Sequence, residues 1–239
     1  MKTLIRIYLF IFLAVSFMII YAPLSLLAQN QDDVHITTNT TWSGSVNVSA
    51  DTHIDDGVTL TIDPGTTITF TGYYGLRVIG NIIAEGTLAD SIRFLPSNTT
   101  TGWNRIIFEF TPSDADSSKF SFCSFKYSKA TQSSTLSGEA GGAVYIGYFN
   151  KIIISNCRFE LNYALALGGA IHCNYSSPRI VNNIFNNNSS DEDGGAIELD
   201  HSHPHIIGNL FVNNHTVCLC GAINFAYANS PVNNNTFAD

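Results

Sequence analysis

Residues 168–188 read GGAIHCNYSSPRIVNNIFNNN, and residues 194–214 read GGAIELDHSHPHIIGNLFVNN. The two stretches are one pattern displaced by 26 residues (194 − 168 = 26), and its landmarks continue on both sides. Phe159, Phe185, Phe211 and Phe237 keep this step, as do Asn162, Asn188 and Asn214, and Ile180, Ile206 and Val232. A fixed period of this size marks a repeat architecture, in which each unit buries its apolar side chains against the next. Helical repeats are excluded, because the units are rich in Asn, Ser, Gly and β-branched residues and carry no apolar stripe at 3.6 spacing. An all-β solenoid remains. A unit with three short apolar clusters fits one coil of a parallel β-helix, where each strand pairs with its counterpart in the next coil at about 4.8 Å and like side chains stack in ladders.

The columns of this alignment assign roles. Asn156, Asn182, Gly208 and Asn234 share one position, and Asn and Gly tolerate a left-handed backbone best, so a sharp turn is expected there. A β-branched residue should then be tolerated far less at Asn182 than at Asn187. The next column, Cys123, Cys157, Asn183, Asn209 and Asn235, is expected to hydrogen-bond along the solenoid axis.

In the strand after the glycines, Val144 and Ile146, Ile171 and Cys173, Ile197 and Leu199, and Ile223 and Phe225 form a uniformly apolar face, which must be the interior. The opposite face presents Tyr145, His172, Glu198 and Asn224 in one column and Gly147, Asn174, Asp200 and Ala226 two residues on. Adjacent coils would bring Glu198 within about 5 Å of His172, close enough for an acid/base pair or a cation site. Tyr145, His172, Asn174, Glu198, Asp200 and Asn224 thus form the candidate ligand-binding face, an outward strip that could hydrogen-bond and stack on an extended sugar chain. An ordinary solvated sheet face fits the same residues.

The tetrapeptides Gly168–Ile171 and Gly194–Ile197, the variants Gly141–Val144 and Cys220–Ile223, and the segments Phe159–Asn162, Phe185–Asn188 and Phe211–Asn214 resemble the GGAI and FxxN repeats of polymorphic outer-membrane proteins. They also resemble the broader class of secreted right-handed parallel β-helix proteins of the pectate-lyase type. The resemblance covers roughly the second half of the chain and implies a right-handed, single-stranded parallel β-helix. It further implies a surface-exposed passenger used in adhesion, with an extracellular glycan or a host or cell-surface protein as partner.

The first half agrees in a less regular way, with short β-rich runs such as Val58–Ile62, Thr66–Phe70 and Ile106–Phe110 bounded by Gly- and Pro-containing turns. These read as irregular first coils over residues 58–127, with 29–57 as an amino-terminal cap, Val34 to Val48 and Trp42 being its best candidate. Residues 128–140, rich in Ser, Thr and Gly, read as a loop inserted before the regular repeats of 141–239. Residues 1–28 read as an export signal: Lys2 and Arg6, an apolar run from Ile7 to Tyr21, and a small-residue boundary at Ala28. The protein is therefore expected outside the cell or on its surface, with no membrane span once the signal is removed. The last coil reads as incomplete, since the chain stops two residues past Phe237.

Without the signal the chain carries 11 − 2 = 9 basic and 19 acidic residues, a formal charge of 9 − 19 = −10. Nucleic acid is excluded as a partner on charge, and an anionic polysaccharide would need Ca²⁺ to bridge it. No other cofactor is implied. Cys123 and Cys157 sit at equivalent positions of neighbouring coils, within disulfide reach, and are either bonded or stacked as small apolar groups. His215, Cys218 and Cys220 could supply three metal ligands, but no fourth is evident. The carboxylate and basic sets of pectate lyases and polygalacturonases have no counterpart in the repeats. Adhesion, glycan binding or scaffolding is therefore the expected function, with a polysaccharide lyase or glycoside hydrolase acting on the exposed strand face as the alternative.

Overall fold

The computed structural model describes residues 33–115, 117–131, 138–218 and 220–238; the expected export signal lies outside them. The chain winds through eight coils, and every strand pairing is parallel. Three sheets of eight strands run the length of the solenoid. The first contains Val144–Gly147, Ile171–Asn174, Ile197–Asp200 and Ile223–Ala226; the second Ile152–Ser155, Arg179–Val181 and His205–Ile207; the third Cys123–Lys126, Arg158–Glu160, Ile184–Asn186 and Leu210–Val212. A fourth sheet of four two-residue strands, Lys129–Ala130, Tyr163–Ala164, Ser189–Ser190 and His215–Thr216, flanks the regular coils. This is a parallel β-helix.

Alternation within each strand sends one set of side chains to a continuous apolar core. Its axis is a column of rings. Phe94, Phe125, Phe159, Phe185, Phe211 and Phe237 stack at 4.7–4.9 Å between centroids and within 11° of parallel. Phe237 is 54% exposed, because no coil covers its outer face among the described residues.

Each regular coil has three corners built by one rule: a residue in the left-handed region, followed by a side chain that points into the corner. At the second corner the left-handed residues are Asn156, Asn182, Gly208 and Asn234, with φ of 54°, 56°, 70° and 55°. The following Asn183 accepts from the Cys157 amide (2.8 Å) and donates to the Ile154 carbonyl (3.0 Å) and to Asn209 Oδ1 (3.0 Å); Asn209 repeats the pattern with Asn235. At the third corner Leu161, Asn187 and Asn213 are left-handed and Asn162, Asn188 and Asn214 form the ladder. At the first corner the ladder is Ser176 and Ser202. These side chains occupy backbone donors and acceptors that the bends would otherwise leave unpaired in the interior. Asn187, with φ of 53°, is thus as much a turn residue as Asn182, and the expectation that it would tolerate a β-branched residue is corrected: the coil turns twice within six residues.

Two further expectations change, and one alternative left open is decided. Val34–Ile36, Thr40–Trp42 and Ser45–Val48, placed in a cap, are the three strands of the first coil, paired in register with Thr52–Ile54, Thr59–Ile62 and Thr67–Phe70. Within the loop assigned to 128–140, Ser128 is buried and bonded to Asn162 Oδ1 (2.7 Å), and Lys129–Ala130 belongs to the fourth sheet, because the corner geometry continues through it; residues 132–137 lie outside the described residues. Cys123 and Cys157 are stacked and unbonded, both thiols free. Cys157 Sγ takes the place of an Asn amide, accepting from the Cys123 amide at 3.4 Å.

Candidate functional site

The outer face of the first sheet carries one column through all eight coils: His35, His53, Arg77, Ile107, Tyr145, His172, Glu198 and Asn224 are paired neighbours in sequence order. In the regular coils this face is not open to solvent. Tyr145, His172 and Glu198 are 4%, 5% and 1% exposed, which corrects the expectation of an outward strip. The cover comes from the connections that return the chain from the fourth sheet to the first. Gly168 and Gly194, with φ of +65° and +66°, fold these connections onto the sheet; a Cβ on Gly168 would lie 2.3 Å from the Ile171 carbonyl oxygen, and one on Gly194 would lie 2.9 Å from Glu198 Oε2. Leu167, in the same connection, packs against Ile107, Ala140 and Tyr145. Backbone this close to the sheet is compatible only with glycine.

Beneath the cover the expected residues meet in part. Tyr145 and His172 make an edge-to-face contact at 5.4 Å, Asn174 Nδ2 donates to Tyr145 Oη (3.0 Å), and Asn224 Nδ2 donates to Glu198 Oε1 (3.1 Å). His172 and Glu198 do not pair. Both ring nitrogens of His172 and Glu198 Oε2 are buried without a hydrogen-bond partner among the described residues. Burial lowers the His172 pKa to about 4, leaving a neutral ring at neutral pH. Burial raises the Glu198 carboxyl to about 7; the Asn224 amide opposes this and the Asp193 and Asp200 charges add to it. Sealed from solvent and not bonded to each other, His172 and Glu198 cannot reach a polymeric substrate, so the acid/base constellation is not assembled as an accessible centre. Asp200, half-buried, turns instead to His201 Nδ1 at 2.6 Å.

Toward the first coils, which lack the fourth sheet, the same face opens into a cleft of about 210 Å³ lined by residues including Asp33, Asp51, His53, Arg77, Asn104 and Arg105. Most of its polar groups already serve one another: His53 with Asp33 (3.1 Å), Asp51 with the Gly75 amide (2.8 Å), and Arg77 with Glu109 (3.1 Å). Among the described residues no three His, Cys, Asp or Glu side chains are grouped to hold a metal, His215, Cys218 and Cys220 included.

The exposed chemistry lies at the first corner, immediately after the first sheet. Phe110, Tyr148, Tyr175, His201 and Tyr227 occupy it in five successive coils, all left-handed, with φ of 64°, 57°, 47°, 47° and 53°. Tyr148 and Tyr175 stack at 5.1 Å, Tyr175 and His201 at 4.6 Å, and His201 and Tyr227 at 4.7 Å, within 21° of parallel. Phe110, Tyr148, Tyr175 and Tyr227 are 79%, 66%, 46% and 82% exposed. The phase that aligns Phe159, Phe185 and Phe211 also aligns Tyr175, His201 and Tyr227, so this column was available in the sequence and passed over.

Residues 184–199, from the end of one coil to the start of the next, match the model of the Chlamydia polymorphic membrane protein repeat. This stretch is similar to one polymorphic-membrane-protein repeat. The matched stretch holds Phe185, Asn188 and Gly194–Ile197, so the family's repeat coincides with the ring stack, the third-corner ladder and the glycine fold-over described above. No curated protein and no solved structure matches the chain. Among the described residues no helix is long and apolar enough to cross a membrane.

Proposed function

We propose that this chain is the surface-displayed, adhesive part of an outer-membrane-associated protein and works by binding along its flank. The observation that carries this reading is the contrast between two columns of the same coils: the titratable residues that could do chemistry are sealed under glycine connections, while large aromatic rings are held in solvent at the neighbouring corner. Contiguous exposed aromatic surface on a folded protein marks an interaction site. The matching repeat belongs to membrane proteins and supports display at the cell surface.

The test is to couple the purified chain to beads and measure their retention on cultured epithelial cells and on immobilised matrix glycans. Retention above that of beads carrying heat-unfolded chain is expected, with no reducing ends or unsaturated products released from the same polysaccharides. Product release that disappears in His53→Ala or Glu198→Gln would establish a polysaccharide-cleaving enzyme in its place.

A further inference from the structure

The ridge formed by the stacked Tyr148, Tyr175, His201 and Tyr227, with Phe110 at the same corner of the preceding coil but outside the stack, has no role in holding the corner that a smaller residue would not fill. At the second and third corners of the coils that carry Tyr175, His201 and Tyr227 the same left-handed backbone is met by Asn and Gly, at Asn182, Gly208, Asn234, Asn187 and Asn213, whereas Phe122, Tyr127 and Leu161 stand there in the two preceding coils. A bulky side chain in this region is strained, and Asn or Gly is the low-strain choice. The backbone hydrogen bonds do not distinguish the corners either. The Tyr148, Tyr175 and His201 amides donate to Asn174, Asp200 and Ala226 of the next coil at 2.9–3.0 Å, just as Asn156 and Asn182 donate to Val181 and Ile207 at 3.0–3.1 Å. The rings are therefore at the first corner for the surface they present.

That surface has a definite chemistry. Because the rings lie face to face, their faces inside the stack are occupied and their edges meet the partner. Among the described residues no protein group hydrogen-bonds the hydroxyls of Tyr148, Tyr175 or Tyr227. Asp200 holds the central imidazole in line. A partner thus meets an apolar ridge with a donor and acceptor group on most rungs, one rung per strand spacing of about 4.8 Å. That rise is close to the length of one pyranose in an extended chain, which offers ring C–H groups and hydroxyls at every sugar. The chain is acidic, with a formal charge of −8, and Glu109 and Asp200 adjoin the ridge, so an anionic polymer is repelled.

We infer that this ridge binds a neutral, extended glycan lying along the solenoid axis, one sugar to a rung. The inference rests on the adhesive reading above and names its site and ligand class.

The test is calorimetric titration of the purified chain with cello- and chito-oligosaccharides of two to six sugars. Affinity is expected to rise with length and level off near four sugars, the number of stacked rungs. Tyr175→Asn and Tyr227→Asn, which keep a residue suited to the left-handed backbone, should each weaken binding about tenfold, as removal of one anchor residue does. Unchanged circular dichroism in these variants excludes unfolding as the cause. Tyr175→Phe, which keeps the ring, should lose less than Tyr175→Asn.

No binding to either series, affinity independent of length, or affinity as high as the parent's in both Asn variants overturns the inference. If the double variant Tyr175→Asn/Tyr227→Asn still adheres to cells like the parent, the ridge is refuted and the adhesive reading stands. If the parent itself adheres to nothing, the adhesive reading is refuted. Adhesion lost in the double variant without oligosaccharide binding by the parent refutes the glycan and assigns the ridge to a protein partner, and a dimer in sedimentation that dissolves in the double variant assigns it to a second copy.

Discussion

Replacing Asn183 by Ala should be among the more damaging single changes in this protein, although it removes only a carboxamide. Asn183 is 1% exposed, and its amide serves the Cys157 N–H and the Ile154 carbonyl as well as Asn209. Asn209 Oδ1 keeps a partner in the variant, since it also accepts from the Asn183 amide (2.8 Å). Two buried backbone groups are orphaned, at about 1–3 kcal/mol each, so the expected loss is about 2–6 kcal/mol. The protein contains its own graded control. At the same column Cys157 accepts from Cys123 through sulfur, and the Cys123 thiol donates to the Ala84 carbonyl at 3.3 Å, so a thiol performs both tasks with weaker bonds. Asn183→Cys should therefore cost about half of Asn183→Ala, and the half-buried Asn186→Ala should fall within about 0.5 kcal/mol of the parent. Urea unfolding followed by circular dichroism at 25 °C measures all three, with the slope compared between variants because coils stacked in a row can unfold in stages. A Cys variant as unstable as the Ala variant, or an Ala variant as stable as Asn186→Ala, would refute the argument that the ladder occupies otherwise orphaned backbone groups.

The ring stack predicts that Phe185→Ala costs about 3–5 kcal/mol, because Phe185 is fully buried between Phe159 and Phe211, whereas Phe237→Ala, half-exposed with one neighbour, costs clearly less; thermal melts compare them. The sealed pair predicts opposing pH effects on stability. Glu198, raised to about 7 from 4.5, holds its proton in the folded state after the unfolded chain has released it, so its contribution falls as pH rises from about 4.5 through 7; Glu198→Gln should remove that loss and gain melting temperature relative to the parent between pH 6 and 8. His172, lowered to about 4 from 6.5, takes up its proton in the unfolded state first, so its contribution is present above about 6.5 and is lost as pH falls toward 4; His172→Phe should flatten the acid side of the melting curve. Thiol titration should find Cys218 and Cys220 reactive in the folded protein and all five cysteines reactive after denaturation without reductant; three in the denatured protein would restore the Cys123–Cys157 disulfide.

The coils were legible because periodicity is a property of the sequence itself: Phe159, Phe185 and Phe211 recur in phase, and the interior alternation of Ile171, Cys173, Ile197 and Leu199 follows from strand geometry. The burial of Tyr145, His172 and Glu198 was not legible from alternation, which says only that they face away from the core. What covers them is a connection, and connections carry no periodic signal. Its trace was the apolar run Leu165–Leu167, where the next coil carries the acidic Asp191–Asp193, beside a glycine pair too regular for a turn alone. The first coil carries no such signal: Val46 stands in the column where the later coils have Phe, and the pairing of Val34–Val48 with Thr52–Phe70 identifies it.

The nearest-neighbour stacking also fixes how the molecule answers to force. Each coil is bonded to the one before and the one after, so tension drawn along the chain from one end is resisted by a single coil's ladder at a time. A regular coil of 26 residues, once peeled, releases roughly 90 Å of slack at about 3.3–3.6 Å per residue. A stack of such units lengthens in equal increments under load.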